Sequence, residues 1–169
     1  MNVVICGCSG SGKSTAIKRI LTALDDEPIY GFWTEKLAPE ANGSAPVYLH
    51  GCREALNYRH LIGLCTNRRA TGFPEVFEDA GVQFLSEIPS GALVLLDEVG
   101  VMENRAPAFQ KAIFALLDGE YRVLLAVRDR ATPLLDAIRA RPKSRVFSAP
   151  EANGAMLQTA IELLRRPSF

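Results

Sequence analysis

The sequence predicts an α/β fold, a mostly parallel sheet with helices on both faces in three layers. Three observations carry that expectation. Residues 2–6, 92–96 and 122–127 are short, nearly continuous apolar runs of strand length, as expected of strands buried on both faces. Between them lie stretches with helical spacing, such as Ala16, Ile17, Ile20, Leu21 and Leu24. Cys6, Leu96, Val127 and Phe147 each precede small or polar residues. Alternating strands and helices give parallel βαβ units, and such sheets bind ligands beyond the carboxyl ends of their strands.

The elements follow in order. Residues 2–6 form a strand that stops at Gly7, and residues 13–24 form a helix. Residues 30–37 and 46–49 are candidate strands around a turn-rich 38–45 segment. Poor periodicity and many Gly, Asn and Arg residues make 38–72 an irregular insertion, with room for a hairpin. A helix is expected over 74–88, weakened by Gly81. Residues 92–96 form a second strand, and 108–117 a helix with Pro107 in its first turn. Residues 122–127 form a third buried strand, followed by a helix at 132–139. A short strand at 145–147 leads to a last helix, 154–164, capped by Asn153. A single domain over residues 1–169 fits this length.

Composition narrows the partners. Nineteen basic residues balance nineteen acidic ones, which argues against extended nucleic acid or an anionic membrane surface. No apolar run approaches the roughly 18 residues of a membrane span, and no export signal is visible. The four cysteines, Cys6, Cys8, Cys52 and Cys65, lack the paired spacing of zinc sites. Free thiols in a reducing cytoplasm are expected.

Gly7-Cys8-Ser9-Gly10-Ser11-Gly12-Lys13-Ser14 satisfies the phosphate-binding pattern G-x-x-x-x-G-K-[ST]. It follows a predicted strand and opens a predicted helix, as that pattern requires. Gly7, Gly10 and Gly12 let backbone N–H groups converge on a triphosphate. The helix end adds partial positive charge. Lys13 is expected on the β- and γ-phosphates, Ser14 on Mg²⁺ and Thr15 on a phosphate. The expected ligand is a nucleoside triphosphate in a P-loop fold.

The second strand ends in two acids. Asp97 is expected as the second Mg²⁺ anchor, through a metal-bound water, and Glu98 as the base that activates an attacking water. Thr34 and Glu35 are expected to face the same crevice. Arg105, Arg128 and Arg130 are candidates for charge support at the γ-phosphate. Asn153 lies where P-loop proteins often contact the base, with helix capping as its competing role. Trp33 and Tyr30 are candidates for stacking on a base, against ordinary burial in a strand.

Three pieces together resemble the THEP-type nucleoside-triphosphatases: residues 7–15, Gly31-Phe32-Trp33-Thr34-Glu35, and Asp97-Glu98-Val99-Gly100-Val101-Met102-Glu103. Phe109, Asn153 and Leu157 fall where that family has similar residues. The resemblance implies a RecA-like P-loop fold and slow, Mg²⁺-dependent hydrolysis of several nucleoside triphosphates. The chain departs from the family at Lys36, where an acid is usual, at Ala45-Pro46-Val47-Tyr48, and at Gly154, where arginine is usual.

Two other readings use the same motif. A small-molecule or nucleotide kinase would bind an anionic acceptor through Arg53, Arg59, Arg68 and Arg69, with Arg128, Arg130, Arg139 and Arg141 in a lid. A nucleotide-gated binding module would present residues 73–84 to an unnamed protein partner.

Overall fold

Each buried strand supplies side chains to two cores at once. In the computed structural model, which describes residues 1–24, 27–67, 69–149 and 153–165, the strands are β1 (Asn2–Gly7), β2 (Ile29–Lys36), β3 (Ala45–Gly51), β4 (Leu61–Thr66), β5 (Arg69–Gly72), β6 (Leu93–Val99), β7 (Arg122–Arg128) and β8 (Ser144–Ser148). Among the described residues these eight form one sheet, in the order β5-β4-β3-β2-β6-β7-β1-β8. From β2 to β8 the neighbours are parallel. From β2 to β5 they are antiparallel.

Alternation along the strands divides the core. Val3, Ile5, Leu93, Leu95, Leu124 and Ala126 pack with Ile17 and Ile20 of α1 (Lys13–Thr22) and Leu157 and Ile161 of α6 (Gly154–Leu164). Val4, Val94, Leu96, Val123 and Leu125 face the other way, toward Phe109, Ile113 and Leu117 of α4 (Pro107–Asp118) and Leu134, Leu135 and Ile138 of α5 (Pro133–Arg139). Each Val, Leu, Ile and Phe among them contributes roughly 1.5–3 kcal/mol by leaving water. The continuous apolar runs follow from this two-sided burial.

Two expectations are corrected. The 38–72 segment is not an irregular insertion: it holds β3, β4 and β5, an antiparallel extension of the sheet. The expected 74–88 helix is shorter and interrupted. It consists of α2 (Pro74–Val76), a π-helical turn (Phe77–Gly81) and α3 (Val82–Phe84). Within residues 73–84, Phe77, Ala80 and Gly81 turn into the core, while Glu75, Asp79 and Gln83 are exposed.

Gly81 has a packing reason to sit in a helical segment. A Cβ there would stand 2.8 Å from the Phe109 ring. Phe109 is fully buried, with ring centroids 5.4 Å from Phe32 and 5.1 Å from Phe77. The same π turn caps α4, whose N-cap residue Ala106 supplies no side-chain acceptor. Glu78 Oε1 accepts from the N–H groups of Ala108 at 2.9 Å and Phe109 at 3.1 Å. Elsewhere the caps are local: Thr132 Oγ1 accepts from Leu135 N–H, and Asn153 Oδ1 from Met156 N–H.

Gly81→Ala should lower stability by about 1–3 kcal/mol through overpacking against Phe109. In a Phe109→Leu background the same substitution should cost less. Urea unfolding of the four proteins checks this; an equal loss in both backgrounds would remove the ring contact as the reason for the glycine.

Candidate active site

The glycine-rich loop closes tightly between β1 and α1. A Cβ at Gly7 would stand 2.2 Å from Ser11 Oγ, so the loop folds back on a residue that must lack a side chain. Gly12 has φ 94°, in the left-handed region that favours glycine, and caps α1. Its carbonyl accepts from Ala16 N–H at 2.9 Å, starting the helix. Lys13 turns back under the loop. Its Nζ donates to the carbonyls of Gly7 and Cys8, both at 2.9 Å, and the side chain is 4% exposed. Cys8, Ser9, Gly10, Ser14 and Thr15 are exposed.

The two acids lie inside β6 rather than beyond its end. Successive side chains of a regular strand point to opposite faces. Here the pairing with β7 shifts between Leu96 and Val99: Leu96 pairs with Leu125, and Val99 with Val127. One extra residue on β6 is a bulge, which re-aims side chains. As a result Asp97 and Glu98 both line one cleft of about 260 Å³, together with Ser9, Ser14 and Arg128.

Glu98 is not a free base on the cleft wall. One oxygen faces Lys13 Nζ at 3.6 Å, and the other accepts from Arg128 Nε. Arg128 is the last residue of β7, paired in register with Gly7 of β1. Its side chain packs on Gly100, where a Cβ would stand 3.4 Å away. Of the three candidate arginines, Arg128 is in the cleft and Arg130 lines its adjoining lobe. Arg105 is exposed on the turn Met102–Arg105 and is not among the lining residues.

Burial raises the Asp97 carboxyl to about 6, with the Glu98 charge adding to the rise and Lys13 opposing it. Burial also raises Glu103 to about 7, while the N–H groups of Glu103 and Gly100 pull it down. Gly100 N–H donates to Glu103 Oε2 at 3.0 Å. Sequence reasoning missed Glu103 as a site residue; its burial 2% exposed beside the bulge is a tertiary fact.

Strand parity sorts the second-strand candidates. β2 runs through Lys36, so Thr34 and Lys36 share the face that lines the cleft. The expectation that Glu35 joins them is corrected. Glu35 points to the other face, with its Oε2 3.2 Å from His50 Nε2. Trp33 stacks on the His50 ring at 4.3 Å, and Tyr30 lies under Arg53. Asn153 serves as the α6 cap and does not line the cleft. The remaining lining comes partly from the segment expected to be irregular: Val47, Ile62, Cys65 and Ala70.

Ser14 and Asp97 offer hard oxygen donors to the same cleft. Among the described residues no three His, Cys, Asp or Glu side chains group around a metal position. Such a sparse donor set fits Mg²⁺, which takes one or two protein ligands plus phosphate and water oxygens.

A family model described as NTPase matches residues 2–161. The chain belongs to the NTPase family. Relatives named nucleoside-triphosphatase THEP1 include one from Thermotoga petrophila, 26% identical over 90% of this chain and 86% of the relative. One from Aquifex aeolicus is 26% identical over 98% of this chain and 100% of the relative. In fold, the chain is similar to the crystal structure of THEP1 from Aquifex aeolicus, with TM-score 0.68 and 22% identity over 98% of this chain and 100% of that one. It is also similar to the solution structure of a human cancer-related nucleoside triphosphatase, with TM-score 0.61 and 20% identity over 96% and 94%. Membership of the NTPase family makes this chain an enzyme, with the P-loop α/β fold of those structures.

The raised Glu103 carboxyl sets the sign of a pH effect. The fold holds that proton more tightly than the unfolded chain, whose carboxyl has the ordinary value of 4.5. Its contribution to stability is therefore fully present at low pH and is lost as pH rises through about 7. Glu103→Gln keeps an acceptor for Gly100 and has nothing to ionise. The variant should gain on the wild type by roughly 1–3 kcal/mol between about pH 5 and pH 8. Urea midpoints at the two pH values measure it; a gap that does not change with pH would exclude Glu103 as the titrating group.

Proposed function

We propose that this protein is a Mg²⁺-dependent nucleoside-triphosphate phosphohydrolase that cleaves the terminal phosphate with water activated by Glu98. The observation that carries the reading is the bulge in β6, which turns Asp97 and Glu98 together toward the loop of Lys13 and Ser14. The names of the THEP1 relatives agree with it.

The chain's residues divide the work. Backbone N–H groups of Gly7, Cys8, Ser9, Gly10, Ser11 and Gly12 cradle the phosphates, and the N-terminus of α1 adds positive potential. Thr15 adds a hydroxyl beside them. Lys13 exchanges the Gly7 and Cys8 carbonyls for β- and γ-phosphate oxygens. Ser14 and Asp97 hold Mg²⁺, which when bound supplies charge neutralisation at the phosphates. Glu98 takes a proton from water as the water oxygen bonds to the γ-phosphorus, and the bond to the bridging oxygen breaks toward the diphosphate. Arg128 keeps the Glu98 carboxylate aimed and adds charge beside the transferring group.

These residues act on the phosphate end, which every nucleoside triphosphate shares, and that supports broad base specificity. Four free cysteines, none needing a disulfide for the fold, suit a cytoplasmic setting.

Glu98→Gln should bind a fluorescent triphosphate analogue while phosphate release falls about 10²–10⁴-fold. Lys13→Ala and chelation of Mg²⁺ should each abolish release, measured across ATP, GTP, CTP and UTP. Undiminished release by Glu98→Gln would take the base role away from Glu98.

A further inference from the structure

The cleft is larger than water needs. Beyond Glu98 and Arg128 its floor is apolar, made of Val47, Ile62 and Met102 from β3, β4 and the turn after β6. It continues into a second lobe of about 520 Å³, lined by Lys36, Arg69, Arg128 and Arg130, with Asp129 as the single acid there. The two lobes share Ser9, Lys36, Cys65, Ala70 and Arg128, so they form one space on the γ-phosphate side of the loop.

Its cations are placed rather than neutralised. Among the described residues Lys36, Arg69 and Arg130 have no carboxylate within ion-pair distance, whereas Arg128 is taken by Glu98. The rim is braced from behind. Arg139 donates to the carbonyls of Arg130 at 2.6 Å and Arg128 at 3.3 Å, which fixes the loop that carries Arg130. Of the residues considered for an acceptor, Arg69 reaches this space, while Arg53 lies over Tyr30, Arg59 is exposed and Arg68 is outside the described residues. Arg139 and Arg141 form no lid, since Arg141 pairs with Asp118 and stacks on Phe114.

Hydrolysis has no use for an apolar floor, and released phosphate has none either. A ligand that uses both floor and rim has an apolar body and an anionic group. Paired with Glu98 at the γ-phosphate end, a hydroxyl on that body lies where water would attack. We propose that this cleft is a second substrate site, taking a small organic anion whose hydroxyl replaces water as phosphoryl acceptor. The proposal rests on the reading that the triphosphate occupies the glycine-rich loop. In the step, the acceptor oxygen bonds to the γ-phosphorus and its proton passes to Glu98. The bond from γ-phosphorus to the bridging oxygen breaks, and its electron pair leaves with the nucleoside diphosphate. The products are a phosphate ester and the diphosphate.

The probes are 4-(hydroxymethyl)benzoate and 4-(hydroxymethyl)phenyl phosphate, as carboxylate and phosphate sources of the same anion, with neutral 1,4-benzenedimethanol as control. With ATP and Mg²⁺, phosphorus NMR should show a new alkyl phosphate with at least one anionic probe. That probe should also slow alkylation of the half-buried Cys65. The double variant Lys36→Ala, Arg69→Ala should weaken that protection about tenfold or more, while phosphate release to water stays within about twofold. Several outcomes overturn the second site while leaving the hydrolase standing. These are continued phosphate release without any alkyl phosphate, equal protection by the neutral control, or protection unchanged in the double variant. Absence of nucleotide binding in every condition would overturn both readings.

Discussion

One carboxylate shared between two cations ties the catalytic edge together. Glu98 belongs to β6, Lys13 to the start of α1 after β1, and Arg128 to the end of β7, the strand that lies between β6 and β1. Three consecutive positions of the sheet therefore meet at a single side chain. The meeting depends on the bulge. Without the extra residue after Leu96, alternation would turn one of Asp97 and Glu98 away from the cleft. Glu98 is about one-quarter exposed and Lys13 almost wholly buried. Each cation faces its own oxygen of Glu98, so removing either leaves the carboxylate held from one side only.

Charge at this edge is balanced before any ligand arrives. Lys13 and Arg128 oppose Asp97 and Glu98. Burial raises the Asp97 carboxyl only to about 6, so near neutral pH most of it stays ionised and keeps this balance. The backbone amides of the loop and the end of α1 add potential without formal charge. A chain with nineteen basic and nineteen acidic residues thus reaches a phosphate-binding site by arrangement rather than by surplus.

How far the sequence could be read depended on whether the deciding interaction was local. The loop of residues 7–14 was legible because its chemistry needs neighbours in the chain: glycines to turn, a lysine to fold back, a hydroxyl at the helix start. The two-sided strands were legible because burial on both faces leaves no polar alternation. The orientation of Glu35 was misread because strand alternation was not applied to it. Thr34 and Glu35 were both placed in the crevice although residues 30–37 were read as a strand, and alternation along such a strand sends them to opposite faces. β4 and β5 were invisible for a related reason. Their pairing is with β3 and with each other, and the edge strand β5, four residues long, carries a weak pattern of its own. Arg128 stood out as following a strand, but its partner Glu98 lies thirty positions away.

The sheet divides its labour along this same boundary. In the parallel half both faces are consumed by core packing, so side chains reach a ligand only from strand ends and the loops beyond them. That half can hold a triphosphate but has no wall to shape a second compound. The antiparallel half does: Val47 and Ile62 pave the floor, and Lys36 and Arg69 stand at the rim. Changes in β3 to β5 can therefore alter what stands opposite the γ-phosphate while leaving Lys13, Ser14, Asp97 and Glu98 untouched. Lys36 ends β2 at the cleft, and Ala45-Pro46-Val47-Tyr48 opens β3. The Lys36 ammonium and the Arg69 guanidinium present positive charge to an incoming compound, and this is the physical ground on which the proposed second compound is an anion.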